Sequence, residues 1–122
     1  MGMDRSRGGP DSRLPLRAVE FHILLSLAAG ERHGYGIILD IQARGETAAP
    51  DVGTMYRALA RMAESGLIGA ASLSVKDRDS SDERRNYYRI TDKGLRVAKA
   101  EARRLQALTR AARLGGLLEK TT

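Results

Sequence analysis

The apolar positions of this chain fall into four helical blocks and one pair of strands. From Leu16 to Ala29, Leu16, Val19, Ile23 and Leu27 recur at helical spacing, and Ala18, Phe21, Leu25 and Ala28 form a second stripe on the opposite side. A domain of this size rarely offers a helix two cores to face, so the second stripe reads as a subunit interface, and Gly30 ends the helix. A second helix is predicted from Gly34 to Arg44, with Tyr35, Ile38, Leu39 and Ile41 as its apolar area and Gly45 closing it. Ala48-Ala49-Pro50 is a short extended link, because the residue before a proline is pushed out of the α region. Asp51 or Pro50 opens a third helix that runs to Ser65 and is stopped by Gly66. Val52, Met55, Tyr56, Leu59, Met62 and Ala63 occupy one arc of that helix, and Thr54, Arg57, Arg61 and Ser65 the other.

The period then changes. Leu67 to Val75 reads as a strand and Asn86 to Thr91 as its partner, with Tyr88 and Ile90 on one face and Tyr87 and Arg89 on the other. A charged ten-residue tip, Lys76 to Arg85, lies between them. Thr91 is the predicted N-cap of a last helix that runs to about Leu114, where Gly115-Gly116 stops it. Its Leu95, Ala98, Ala102, Leu105, Thr109 and Ala112 alternate spacings of three and four, the period of a coiled-coil seam. Such a seam either covers its own domain or joins a second copy. The spare apolar face of the first helix favours the second copy, which makes Phe21, Leu25 and the six seam positions the expected dimer interface.

Composition narrows the chemistry. The chain has 122 residues, about one domain. Without cysteine it has no disulfide framework, thiolate metal site or cysteine nucleophile. Its longest apolar run, Phe21 to Ala29, contains Ser26 and is far too short to span a bilayer, so no membrane role is expected and a cytoplasmic location is. Two histidines far apart, no phosphate loop and no paired acids on one predicted face leave no constellation for acid-base or nucleophilic catalysis; the sequence predicts no enzyme and no cofactor. The tip from Asp77 to Asp82 has the carboxylates of a calcium loop, but Asp82 stands where such a loop needs Gly and Tyr88 where it needs Glu, so no metal site is expected. The net charge is +6, and 17 arginines outnumber four lysines, which suits bidentate contact with a polyanion.

Three helices followed by a two-stranded ribbon with a charged tip is the order of a winged helix-turn-helix. The expected fold is mainly α with a small two-stranded antiparallel wing and a C-terminal dimerisation helix. It divides into a disordered N-terminal arm (1–13), a DNA-binding domain (14–91), the dimerisation helix (92–114) and a flexible tail (115–122). The third helix is then the reader, because the major groove of DNA admits one α-helix. Arg57 and Arg61 can each bind a guanine edge with two bonds, and Thr54 can reach a phosphate or a thymine methyl. Tyr35, at the start of the second helix, and Tyr56, on the flank of the buried arc, are candidates for the DNA backbone. Arg84 and Arg85 at the wing are candidates for a minor-groove edge or a phosphate. Residues 51–66 are net neutral, whereas residues 92–122 carry +5; Arg96, Lys99, Arg103 and Arg110 on the last helix either flank DNA or are solvated. The competing reading of the same fold is a winged helix used for protein contacts alone.

Four segments in order resemble the PadR family of bacterial transcriptional regulators, across almost everything from Leu14 to about Leu114. They are His33-Gly34-Tyr35-Gly36-Ile37, Gly53-Thr54-Met55-Tyr56-Arg57-Ala58-Leu59, Glu64-Ser65-Gly66-Leu67-Ile68, and Arg85-Asn86-Tyr87-Tyr88-Arg89-Ile90-Thr91-Asp92-Lys93-Gly94. The resemblance implies a winged-helix domain bound to double-stranded DNA, a homodimer built from the first and last helices, and repression of a nearby operon relieved by a small-molecule effector; two-fold symmetry of such a dimer then makes the expected operator an inverted repeat. One helix after the wing places the chain with the short-tailed branch. Drug-binding members of that branch stack aromatic side chains, tryptophan above all, around a cavity at the dimer interface; this chain has no tryptophan and one phenylalanine.

Overall fold

Each helix starts where the sequence supplies a hydrogen-bond acceptor for its first free amides. The computed structural model describes residues 14–45, 50–71 and 87–119. In α1 (Ala18–Ala28), the Glu20 carboxylate reaches back to accept from the Arg17 amide at 3.2 Å. His33 Nδ1 accepts from the Gly36 amide at 3.0 Å and caps α2 (Gly34–Ala43). Asp51 accepts from the Thr54 amide at 2.7 Å and caps α3 (Val52–Glu64). Thr91 Oγ1 accepts from the Gly94 amide at 2.9 Å and caps α4 (Asp92–Leu114). The same hydroxyl donates to the Gly66 carbonyl at 2.6 Å, so one side chain joins the end of α3 to the start of α4. Gly66 takes φ +84°, the left-handed turn that lets the Leu67 amide return to the Met62 carbonyl at 2.9 Å and end α3.

Between the helices lie three short strands, β1 (Arg32–His33), β2 (Ile68–Ala70) and β3 (Tyr87–Ile90), in the antiparallel order β1-β3-β2. Ile68 pairs with Ile90 and Ala70 with Tyr88 on one side of β3, and Arg32 pairs with Tyr88 on the other. The predicted two-stranded wing is therefore a three-stranded sheet. The added strand is two residues long, too short for a period-two pattern, and it is held by backbone pairing and by the His33 ring set edge-on to Tyr87 at 5.2 Å. As the alternation predicts, Tyr88 and Ile90 pack against the core. Positions 72–75 of the predicted first strand, the charged tip, the arm 1–13 and residues 120–122 of the tail lie outside the described residues.

The core is made by Ile23, Leu24 and Leu27 of α1, Ile37 and Ile41 of α2, Met55, Leu59 and Met62 of α3, Ile68 of β2 and Val97 of α4. Two charged clusters pin its edge. Ser26, fully buried, donates to Asp40 at 2.6 Å, and Arg44 and Arg32 close on the same carboxylate at 2.9 and 3.6 Å. The Ser26 hydroxyl, aided by the two arginines, holds the Asp40 carboxyl below its ordinary value against the opposing effect of burial. On α4, Glu101 is 2% exposed and is taken by both arms of Arg104 at 2.7 and 2.8 Å, which lowers its carboxyl as well. Among the described residues no helix is long and apolar enough to cross a membrane.

Candidate nucleic-acid interface

The reader helix sits on its domain at a different rotation from the one its sequence predicts. Met55, Ala58, Leu59 and Met62 face the core, so the arc opposite them is centred on Gly53, Arg57, Ala60 and Glu64. Thr54 and Arg61 lie on one flank and Val52 and Tyr56 on the other. Val52, assigned by pattern to the buried arc, is 61% exposed in the first turn, where an apolar side chain can meet a thymine methyl. Ala63, placed on the same arc, is also exposed. The two arginines differ. Arg57 folds back over Gly53 and donates to Thr54 Oγ1 at 3.3 Å, and it forms no ion pair among the described residues. Arg61 turns to α1 and meets Glu20 at 3.5 Å. The Asp51 carboxyl is held below its ordinary value by the Thr54 amide, so the cap stays ionised near neutral pH.

On the other flank Tyr56 lies across the first residue of α2. A side chain at Gly34 would meet Tyr56 Oη at 2.5 Å, so the absent methyl is what lets the phenol settle there. Tyr56 remains 44% exposed and Tyr35, next to Gly34, 58% exposed; neither is a core tyrosine. The structure thus gathers Tyr35, Thr54, Tyr56 and Arg57 around the amino ends of α2 and α3, with Arg61 set back beside α1. Arg84 and Arg85 lie outside the described residues.

The expected dimer residues are also distinct in their surroundings. Leu25 is exposed and Phe21 half-buried on α1, and on α4 Leu95, Ala102 and Thr109 are exposed while Ala98, Leu105 and Ala112 are half-buried. The side of α4 that faces the core is a neighbouring arc, Gly94, Val97, Ala100 and Glu101. A groove of about 260 Å³ runs between α1 and α4, lined by Leu16, Ala18, Phe21, His22, Glu101, Arg104 and Leu105. No group of His, Asp or Glu among the described residues is arranged to hold a metal ion.

Comparison with known proteins places this geometry. A solved PadR family transcription regulator from Clostridium difficile superposes with a TM-score of 0.69 at 23% identity, covering 80% of this chain and 97% of that one. A PadR-like transcriptional regulator from Bacillus cereus gives 0.66 at 26% identity, over 84% and 93%. A transcriptional regulator from Clostridium thermocellum gives 0.62 at 27%, over 76% and 84%. A search of curated protein sequences found no match. The model of the transcriptional regulator PadR-like family matches residues 23–100, from within α1 to the first part of α4, and includes α2, α3 and the three strands. The chain belongs to the PadR-like family of transcriptional regulators, with a winged-helix fold and a DNA-binding regulatory role.

Proposed function

We propose that the protein is a homodimeric repressor that binds an inverted-repeat operator in double-stranded DNA near the genes it controls, and that a small-molecule effector relieves it. The observation that carries the DNA reading is the state of Arg57. Its guanidinium lies at the exposed amino end of α3, hydrogen-bonded to a neutral hydroxyl and near enough to the Asp51 carboxylate to feel its charge, with no direct salt bridge among the described residues. Turning from Thr54 Oγ1 to a guanine edge therefore exchanges a weak neutral hydrogen bond for two good ones. Tyr35, Tyr56 and Thr54 act on the phosphates beside it, Arg61 on a phosphate farther along the helix, and Arg84 and Arg85 on the backbone at the wing. Homodimerisation is supported by the open face of α1 at Phe21 and Leu25 and by the seam from Leu95 to Ala112. The effector reading is supported by the groove between α1 and α4, which an interface built from those helices would border.

The test is a titration of a duplex selected by the protein from a random-sequence pool, repeated over a series of salt concentrations. A DNA-binding regulator gives a falling log-log line whose slope is near 0.9 per neutralised phosphate, and a selected sequence that outcompetes unrelated duplex by at least about a thousandfold. Absence of any sequence preference would overturn the reading.

A further inference from the structure

The reader helix and its cap are electrically neutral, yet the chain carries +6. Almost all of that excess sits on α4, where seven basic residues face two acidic ones. Five of its charges have internal partners or places: Arg104 and Glu101 hold each other, Lys93 donates to the Ser65 carbonyl at 2.8 Å, Asp92 lies in the first turn where a carboxylate suits the helix dipole, and Arg113 is half-buried near the end of the helix. Arg96, Lys99, Arg103 and Arg110 have none. All four are exposed, and none forms a hydrogen bond or ion pair among the described residues.

Their azimuth is what makes them a surface. At roughly 100° per residue the four fall within about 60° of arc, and at about 1.5 Å per residue they extend over some 21 Å. Arcs for the core (Gly94, Val97, Ala100, Glu101) and for the seam (Leu95 to Ala112) occupy the rest of the helix without overlapping this one. The basic stripe consequently stays free when α4 packs on its own domain, and it stays free again when the seam is covered by a second copy. It starts beside the carboxyl end of α3, since Lys93, three residues before Arg96, donates to the Ser65 carbonyl there, and β3 of the wing runs directly into α4.

We propose that this stripe is a second, sequence-independent contact for duplex DNA: the phosphate backbone flanking the operator on the same DNA molecule. On a duplex long enough to reach past the carboxyl end of α3, four cations along some 21 Å match a strand that carries one phosphate per about 3.4 Å of axis. The stripe contributes affinity and salt dependence but no sequence choice. This inference rests on the DNA-binding reading above.

The experiment compares the wild-type protein with Arg103→Gln/Arg110→Gln on two selected duplexes, one trimmed to the operator and one extended by about a helical turn on each side. The wild-type protein should bind the longer duplex more tightly and with a steeper salt dependence. The double variant should keep wild-type affinity for the trimmed duplex and lose the gain on the longer one, its slope falling by roughly 0.9 for each phosphate contact removed. Equal affinities and slopes for the two proteins on the extended duplex overturn the proposal. So does an equal loss on both duplexes, which would put the stripe at the operator itself. Retention of every DNA property with loss of an acidic protein partner would assign the stripe to that partner and overturn it too. Failure of the wild-type protein to select any sequence would be a failure of the DNA-reading proposal, distinguishable because no length comparison then arises.

Discussion

A hydrogen atom in place of a methyl group decides how α4 leaves the sheet. A Cβ on Gly94 would fall on the carbonyl oxygen of Leu67 and press on Ile90, so the first turn of α4 packs against the backbone just ahead of β2 only because residue 94 has none. Gly94→Ala must push backbone against backbone, and we expect a loss of about 1 to 3 kcal/mol in urea unfolding, the range of other overpacked sites. A stability equal to wild type would mean that α4 packs elsewhere. Asp40 is the second such residue. Replacing it by Ala strands the buried Ser26 hydroxyl and two guanidinium groups, and should cost about 1 to 3 kcal/mol at neutral pH. Because folding holds its carboxyl below the ordinary 3.8, the charged contribution is fully present above that pH and is lost as pH falls through the lower folded value. The stability gap between wild type and Asp40→Ala should therefore be flat near neutrality and narrow below about pH 4; a gap that widens in acid would contradict it. Neither residue announces itself in the sequence, since each acts on a partner more than a dozen positions away. The caps Asp51 and Thr91 are legible because their partners are three residues on.

At the scale of elements, all four helices end within one residue of where spacing and glycine place them, and α1 begins two residues later than predicted, at Ala18. What spacing misjudged is rotation. On α3 the buried set includes Ala58, a residue with little side chain to reveal its direction, and leaves Val52 in the open. The turn separates two arginines that the sequence treats alike. Arg57 is tied to a hydroxyl, whereas Arg61 already shares its charge with Glu20. Arg57→Ala should weaken binding to the selected duplex by about 1 to 3 kcal/mol and relax one base position, as for an arginine that reads a guanine. Arg61→Ala should weaken all sequences alike and by less. The reverse order, measured at one fixed salt concentration, would show that Arg61 leaves Glu20 and does the reading. Strand β1 was missed for a different reason: its two residues have no pattern, and its partner on β3 is more than fifty positions away.

The whole molecule turns on what covers the open sides of α1 and α4. Both helices use one face for the core and leave apolar positions uncovered, Leu25 and Leu108 among them. If a second copy covers them, Phe21→Glu or Leu105→Glu places a charge in an apolar interface and should shift micromolar protein towards monomer in sedimentation velocity. Wild-type protein that sediments as a monomer at that concentration would sink the dimer. The two-faced character of α1 was visible as two stripes in the sequence. Which arc of α4 meets its own domain was not, because the alanines that fill both arcs carry no directional signal and the buried charge of Glu101 runs against the pattern.

The central claim, a symmetric pair of reader helices on DNA, is tested most directly by the spacing of the sites that the protein protects. A hydroxyl-radical footprint on a selected duplex should show an inverted repeat whose half-site centres lie one helical turn apart, roughly 34 to 36 Å, or a multiple of it. Arg57→Ala should raise the protein concentration needed for protection, and by the same factor for both halves. A single unrepeated site, or half-sites in direct orientation, would contradict the account.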